Sequence, residues 1–376
     1  MRPAIFCVIL GLSALARAQS PQQLVQDAMQ KQRSGQLEEA VTEYRQFLKL
    51  VPDAAAIHSN LGAALVDLGR FQEAIPEYQI ALRQSPQLAG ARLNLALAYY
   101  KMGRIADATR ELEKVHSEEP SNHQATLLLG DCYLRMAREK DVIQVLQPEE
   151  TKYPDDLAIA YLLGTALIRT GHVQDGEVLV DKILRNGESA EAHLMLGEAK
   201  MNVSDFAGAR DEFAKAVALD PKLGDAHALY ARALMMTGDS DLSAQQYKAA
   251  LAVEPYNFEA NLQLGAAARQ QDNYDEAERY FLRAQETRPE DPGVRYQLAL
   301  VDIDKSRLDE ARRILESVVN QWPQFTEAHV SLALVYYRMN RPEDGKRERQ
   351  IVLRLTAEAQ AKQPGVAHKD QPKEPQ

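Results

Sequence analysis

Residues Asn60–Ile75 read NLGAALVDLGRFQEAI. Leu61, Ala64, Leu65 and Leu68 recur at helical spacing, so the stretch predicts an amphipathic helix. Gly62 lies inside that helix, where glycine costs about 0.5–1 kcal/mol relative to alanine. Gly69 stands one residue past its last leucine. The chain repeats the first of these features. At a spacing of 34 the residues are Ala28, Gly62, Ala96, Gly130 and Gly164; after one step of 33 they are Gly197, Ala231, Gly265, Ala299 and Ala333. All ten are Gly or Ala, and a period in this range marks a repeat array.

With this small residue as position 8, repeats start at Pro21, Ala55, Ala89, His123, Leu157, Ala190, Gly224, Phe258, Pro292 and Thr326. Other columns then align. Position 7 is Leu in eight repeats and position 32 is Pro in eight. Position 20 is Ala at 40, 74, 108, 209, 277 and 311; position 24 is large and apolar at Tyr44, Tyr78, Phe213, Tyr247 and Phe281. Position 15 is a turn residue, Gly35, Gly69, Gly103, Gly171 and Gly238, with Asp272 and Asn340 as substitutes that tolerate a left-handed backbone. Each repeat therefore predicts a helix, a tight turn, a second helix and a stop at the proline. Positions 8 and 20 fall where the paired helices cross, and small side chains let them approach. On this reading Gly62→Ala is near neutral, while Gly69→Ala costs about 1 kcal/mol.

The residues quoted, with Tyr99, Tyr133 and Tyr336 at position 11 and Ala81, Ala216, Ala250 and Ala284 at position 27, closely resemble the tetratricopeptide repeat family. The resemblance runs from Pro21 to about Ala359. It implies an all-α fold, an α-solenoid of about ten helix hairpins wound into a right-handed superhelix with a concave groove. The tryptophan usual at position 4 is absent, and His58, His193, His227 and His329 occupy that column.

Repeat 4 departs from the pattern. Ala137 replaces the turn glycine, Val142 the small residue at 20, and Pro148 falls within the second helix, which is not expected to run through it. Repeat 5 is one residue short and has Glu188 in place of the proline. A change of superhelical curvature across repeats 4 to 6 and simple drift are both open readings.

The ends read differently. Residues 1–18 carry Arg2, an apolar run from Ala4 to Ala16 and a small-x-small site ending at Ala18, the pattern of a cleaved secretory signal. The run is shorter than the ~20 residues of a membrane span, so no membrane insertion is expected after cleavage, and the mature protein is expected to be secreted or periplasmic. Residues 360–376 read as the end of a capping helix that starts near Pro342, followed by a polar, disordered tail. Without Arg2 and Arg17 there are 42 basic residues against 54 acidic ones, a balance of −12 that argues against nucleic acid. Cys132 is then the one remaining cysteine, in an apolar setting that suits a buried thiol.

No motif for metal binding or catalysis is found, and the histidines of position 4 sit one per hairpin. The carboxylates mostly sit near helix starts or at i,i+3 and i,i+4 from basic residues, the pattern of a solvated face. A non-enzymatic protein without cofactor or metal is expected. In the family the first helix of each repeat lines the groove through positions 2, 5, 9, 12 and 13. Carried over, position 5 supplies Leu127, Tyr161, Leu194, Leu262 and Tyr296. Position 12 supplies Tyr100, Leu134, Ile168, Met201, Met235 and Tyr337, and position 13 supplies Arg135 and Arg169. This row suits a protein or peptide ligand with apolar anchors, although packing between hairpins would use the same residues. The basic members of the family's carboxylate-gripping set are missing, so that specificity is not carried over. The sequence thus predicts an exported scaffold that binds a partner in its groove. The alternatives are an envelope component acting through its convex face, or an accessory subunit delivering substrate to a separate enzyme.

Overall fold

The computed structural model describes residues 20–361. The expected signal segment and the tail beyond 361 lie outside the described residues. Among the described residues there are twenty α-helices and no strand. They form ten hairpins: α1 (Pro21–Arg33) with α2 (Leu37–Leu50), α3 (Ala55–Asp67) with α4 (Phe71–Gln84), α5 (Ala89–Lys101) with α6 (Ile105–Glu118), α7 (His123–Arg135) with α8 (Glu139–Lys152), and α9 (Leu157–Arg169) with α10 (Val173–Leu184). The series continues with α11 (Ala190–Asn202) and α12 (Phe206–Leu219), α13 (Gly224–Thr237) and α14 (Ser240–Val253), α15 (Phe258–Gln270) and α16 (Tyr274–Thr287), α17 (Pro292–Asp304) and α18 (Leu308–Gln321), and α19 (Thr326–Arg338) and α20 (Pro342–Ala361). Every first helix begins at a residue that the repeat alignment marks as a start. Two compact units are present, Met1–Ala98 and Tyr99–Gln376, with the division inside α5.

The turn in each hairpin has one physical form. Position 15 is left-handed in all ten repeats, with φ between 55° (Ala137) and 92° (Gly238). The following N–H bonds back to the carbonyl of position 11 in every repeat, as from Arg70 to Leu65 at 2.8 Å and from Arg138 to Tyr133 at 2.9 Å. This closure satisfies a carbonyl that the helix end would otherwise leave unpaired. Ala137, Ser204 and Ser306 adopt it despite their side chains, so the substitution at Ala137 leaves the geometry of repeat 4 unchanged.

The glycine at position 8 faces position 24 of the second helix in repeats 2, 4, 6 and 8. A Cβ on Gly62 would stand 2.8 Å from Tyr78 Cε1, and one on Gly265 2.7 Å from Phe281 Cε1. In repeat 5 the crossing of positions 8 and 20 is direct, since a Cβ on Gly176 would lie 3.1 Å from the Gly164 carbonyl oxygen. Tyr78 is 1% exposed, so the ring can shift only by displacing its packed neighbours. The near-neutral expectation for Gly62→Ala is therefore corrected. Ala28 coexists with Tyr44, but the helices of repeat 2 are set for glycine.

Position 4 explains its histidines. His58 Nδ1 lies 2.6 Å from Glu77 Oε2 and Nε2 lies 2.9 Å from the Pro52 carbonyl. His329 repeats this with Glu348 and Pro323, and His227 with Gln246 and Pro221. Arg92 and Asn261 reach the corresponding carbonyls of Pro86 and Pro255. Each side chain thus ties the exit of one repeat to the hairpin of the next. Where Glu188 replaces the proline, His193 keeps its contact with Glu212 at 2.7 Å, but Nε2 is buried without a hydrogen-bond partner. Burial opposes ionisation of Glu212, yet Lys200 and His193 outweigh it and hold the carboxyl at about 2.

One further expectation, for repeat 4, is decided. Helix α8 runs through Pro148 without a break. The ring lies on the exposed side, where water can serve the carbonyl of Gln144 that loses its N–H partner, while Val142 and Leu146 are fully buried and hold the helix. First helices α9 and α11 also pack directly against each other.

Ala137→Gly, Ser204→Gly and Ser306→Gly should each stabilise the array by about 1 kcal/mol, whereas Gly69→Ala should destabilise it by a similar amount. Chemical denaturation checks the signs. Gly62→Ala should lower the denaturation midpoint, because overpacking of about 1–3 kcal/mol exceeds the gain in helix propensity; an unchanged midpoint would show that the Tyr78 ring yields.

Candidate functional site

In the second unit, first helices α7, α9, α11, α13 and α15 surround an inner cavity of about 530 Å³. Leu134 and Arg135 from α7, Tyr161 and Arg169 from α9, and Met201 from α11 line it. Further along, Asp225, Leu229 and Arg232 of α13, Phe258 and Glu259 of α15, and Arg288 at the end of α16 complete the wall. Helical spacing puts positions 5, 9, 12 and 13 of each first helix on a common side, and stacking brings those sides together.

The wall is charged and largely self-paired. Arg169 grips Glu198 with two bonds, Nε to Oε2 at 2.9 Å and Nη2 to Oε1 at 2.6 Å. Arg135 Nε donates to Asp131 at 2.9 Å, and its Nη1 meets Glu254 from the end of α14. Tyr100 donates to the same Asp131 at 2.6 Å, with the Arg135 guanidinium 5.4 Å from the centre of its ring. Burial works against the charge on Arg135, but Asp131, Asp225 and Glu254 outweigh it and hold its pKa well above the ordinary arginine value. Arg288 stacks 3.9 Å from the centre of the Phe258 ring, and burial lowers its pKa. Burial, with the charges of Asp225 and Glu198, pushes the Tyr161 phenol up. Arg232 Nε is buried without a hydrogen-bond partner. The cavity therefore presents apolar surface beside arginines held in place by carboxylates, a surface for binding.

The residues expected to form the groove divide. Leu134, Tyr161, Met201, Arg135 and Arg169 converge on the cavity. Ile168 and Leu194 do not serve as groove contacts, being 0% and 2% exposed. Ile168 turns to its own hairpin and covers Gly176, and Leu194 is taken up where α9, α11 and α13 crowd together. Tyr100, Leu127, Leu262 and Tyr296 are half-buried. The Tyr296 hydroxyl lies 3.1 Å from Ser331 Oγ. Met235 and Tyr337 are exposed, at 40% and 42%, away from the cavity. Asp131 and Glu198 were not singled out, although both sit at inward position 9 within reach of the position-13 arginines. Glu254 and Arg288 lie at helix ends, where no repeat column marks them.

Among the described residues no cluster of His, Cys, Asp or Glu is placed to hold a metal, and no helix is long and apolar enough to cross a membrane. Cys132 is buried, and burial raises its thiol pKa.

Family profiles described as tetratricopeptide repeat match residues 28–89 and 296–345, and residues 65–115. Residues 178–295 match the TPR domain of cytochrome c-type biogenesis protein H, and 101–183 match anaphase-promoting complex, cyclosome, subunit 3. No curated protein sequence matches the chain. Among solved structures, the hetero-tetramer Cut9-Hcn1 of APC/C is similar over 90% of this chain and 81% of that one, at 15% identity and a TM-score of 0.50. A crystal structure of MamA covers 44% of this chain and 97% of its own, at 21% identity and a TM-score of 0.39. The chain is a tetratricopeptide-repeat protein, of a family whose repeats mediate protein–protein interaction and are typically non-catalytic.

Proposed function

We propose that this tetratricopeptide-repeat protein is an exported, non-catalytic scaffold that captures a protein or peptide in the inner cavity of its second unit. The observation that carries the reading is the convergence of Leu134, Tyr161 and Met201 with Arg135 and Arg169 on one cavity. The apolar groups suit the anchors of a polypeptide, and the arginines suit its acidic groups or carbonyls. Export rests on residues 1–18. A second reading, an accessory subunit that presents a polypeptide to a separate enzyme, draws support from the match of residues 178–295 to the TPR domain of cytochrome c-type biogenesis protein H.

Met201→Asp, which places a charge on the half-buried cavity wall, should abolish capture of partners from an extracytoplasmic extract while the circular dichroism spectrum persists. Met235→Asp, on an exposed position away from the cavity, should leave capture intact. Equal capture by both variants would move the contact elsewhere. Amino-terminal sequencing of the exported protein should begin at Gln19, and retention of residues 1–18 would contradict the signal reading.

A further inference from the structure

The turn glycines Gly35, Gly69, Gly171 and Gly238 have open space where a Cβ would stand. Gly103, in the turn between α5 and α6, does not: a Cβ there would overlap the ring of Tyr256. Tyr256 belongs to the connection between α14 and α15, four repeats further on. Beside it, Glu254 meets Arg135 across 119 residues, and Arg288 Nε donates to the Arg135 carbonyl at 2.7 Å across 153 residues. Helix α16 accordingly touches α6. In a solenoid each repeat need contact only its neighbours, so these contacts add a closure that the stack of hairpins does not require.

We propose that they form a clasp, which closes the second unit on itself and controls entry to the inner cavity. The control of entry rests on the reading that the cavity receives a partner; the clasp itself does not. The joint is made by connections and helix ends, so opening it breaks no hairpin. Arg135 is shared between the two structures. Its side chain lines the cavity, while its guanidinium and its carbonyl are both held by the clasp. An acidic group that draws Arg135 away from Glu254 also removes the cation from a pair of carboxylates. Asn257 Nδ2 reaches both Asp225 at 2.8 Å and Glu254 at 3.2 Å, so these stand side by side and would repel. Occupancy of the cavity and closure of the clasp thus compete for one side chain, which couples them.

The turn supplies a selective test. Ser204 and Ser306 show that serine is accepted at position 15, so Gly103→Ser keeps the turn and forces Tyr256 away, while Gly171→Ser makes the same change facing open space. Spin labels at the exposed positions Lys101→Cys and Arg283→Cys should report one short distance in the full chain. Gly103→Ser should add a longer population, Gly171→Ser should not, and adding Tyr256→Ala to Gly103→Ser should restore the short one. Arg288→Ala, which leaves the turn untouched, should also lengthen the distance. An unchanged distribution in both Gly103→Ser and Arg288→Ala, or equal lengthening in Gly171→Ser, would overturn the clasp. For entry, a cysteine at Met201 should react with a bulky polyethylene-glycol maleimide on the order of tenfold faster in Gly103→Ser, since a closed protein opens only to ~0.1–10%. An unchanged rate in an opened protein would overturn gating. Neither readout contains a partner, so failure of partner capture and failure of the clasp are separate results.

Discussion

A single left-handed residue in each repeat is the constraint on which the array depends. Without it, helices of 13 and 14 residues would run on as one, and position 8 would never meet position 24. Five of the ten residues at this place are not glycine, yet all adopt the conformation. The bond from position 16 to position 11 and the packing of the paired helices outweigh a local cost of about 1–2 kcal/mol at Ala137, Ser204 and Ser306, and a smaller one at Asp272 and Asn340. Once the chain reverses at a fixed distance, the small residue at 8 and the ring or branched side chain at 24 define how deeply the helices interlock.

What joins one hairpin to the next is polar as well as apolar. The side chain at position 4 spans a proline carbonyl behind it and, in the histidine repeats, a carboxylate or amide ahead of it. A tryptophan, with a single N–H donor, could answer only one of these two groups. The histidine instead answers a backbone oxygen at the helix exit, a place where an unpaired carbonyl is costly. His193 shows the dependence from the other side, since with Glu188 in place of the proline its Nε2 makes no hydrogen bond and only approaches the Glu188 carboxylate, at 3.6 Å.

The starts of the ten first helices are legible to the residue, because ten copies average out the noise of any single stretch. Features set by contacts between distant repeats were not. Nothing local at Gly103 distinguishes it from Gly69, and only the placement of Tyr256 does so. The helix through Pro148 was misjudged because a local penalty was weighed without the burial of Val142 and Leu146 that opposes it. In the candidate site the inward columns are right in kind, and packing between neighbouring helices decides between their members. Where α9 and α11 crowd together, Leu194 becomes interior, while Tyr161 and Met201 nearby keep a face on the cavity. A hydrophobic column cannot say which of its members the next helix will cover.

The contact of Tyr256 with Gly103 bears on how such a chain can change over time. Arrays of this kind lengthen and shorten by duplicating or losing whole units, because each unit meets only its neighbours. Here a unit inserted or deleted between the third repeat and the seventh would carry the tyrosine past the glycine that receives it, and would part Glu254 and Arg288 from Arg135. Arg288 and α16 carry the same constraint into the eighth repeat. The stretch between Gly103 and Arg288 therefore has a fixed count of repeats, a constraint that neighbour-to-neighbour stacking alone does not impose.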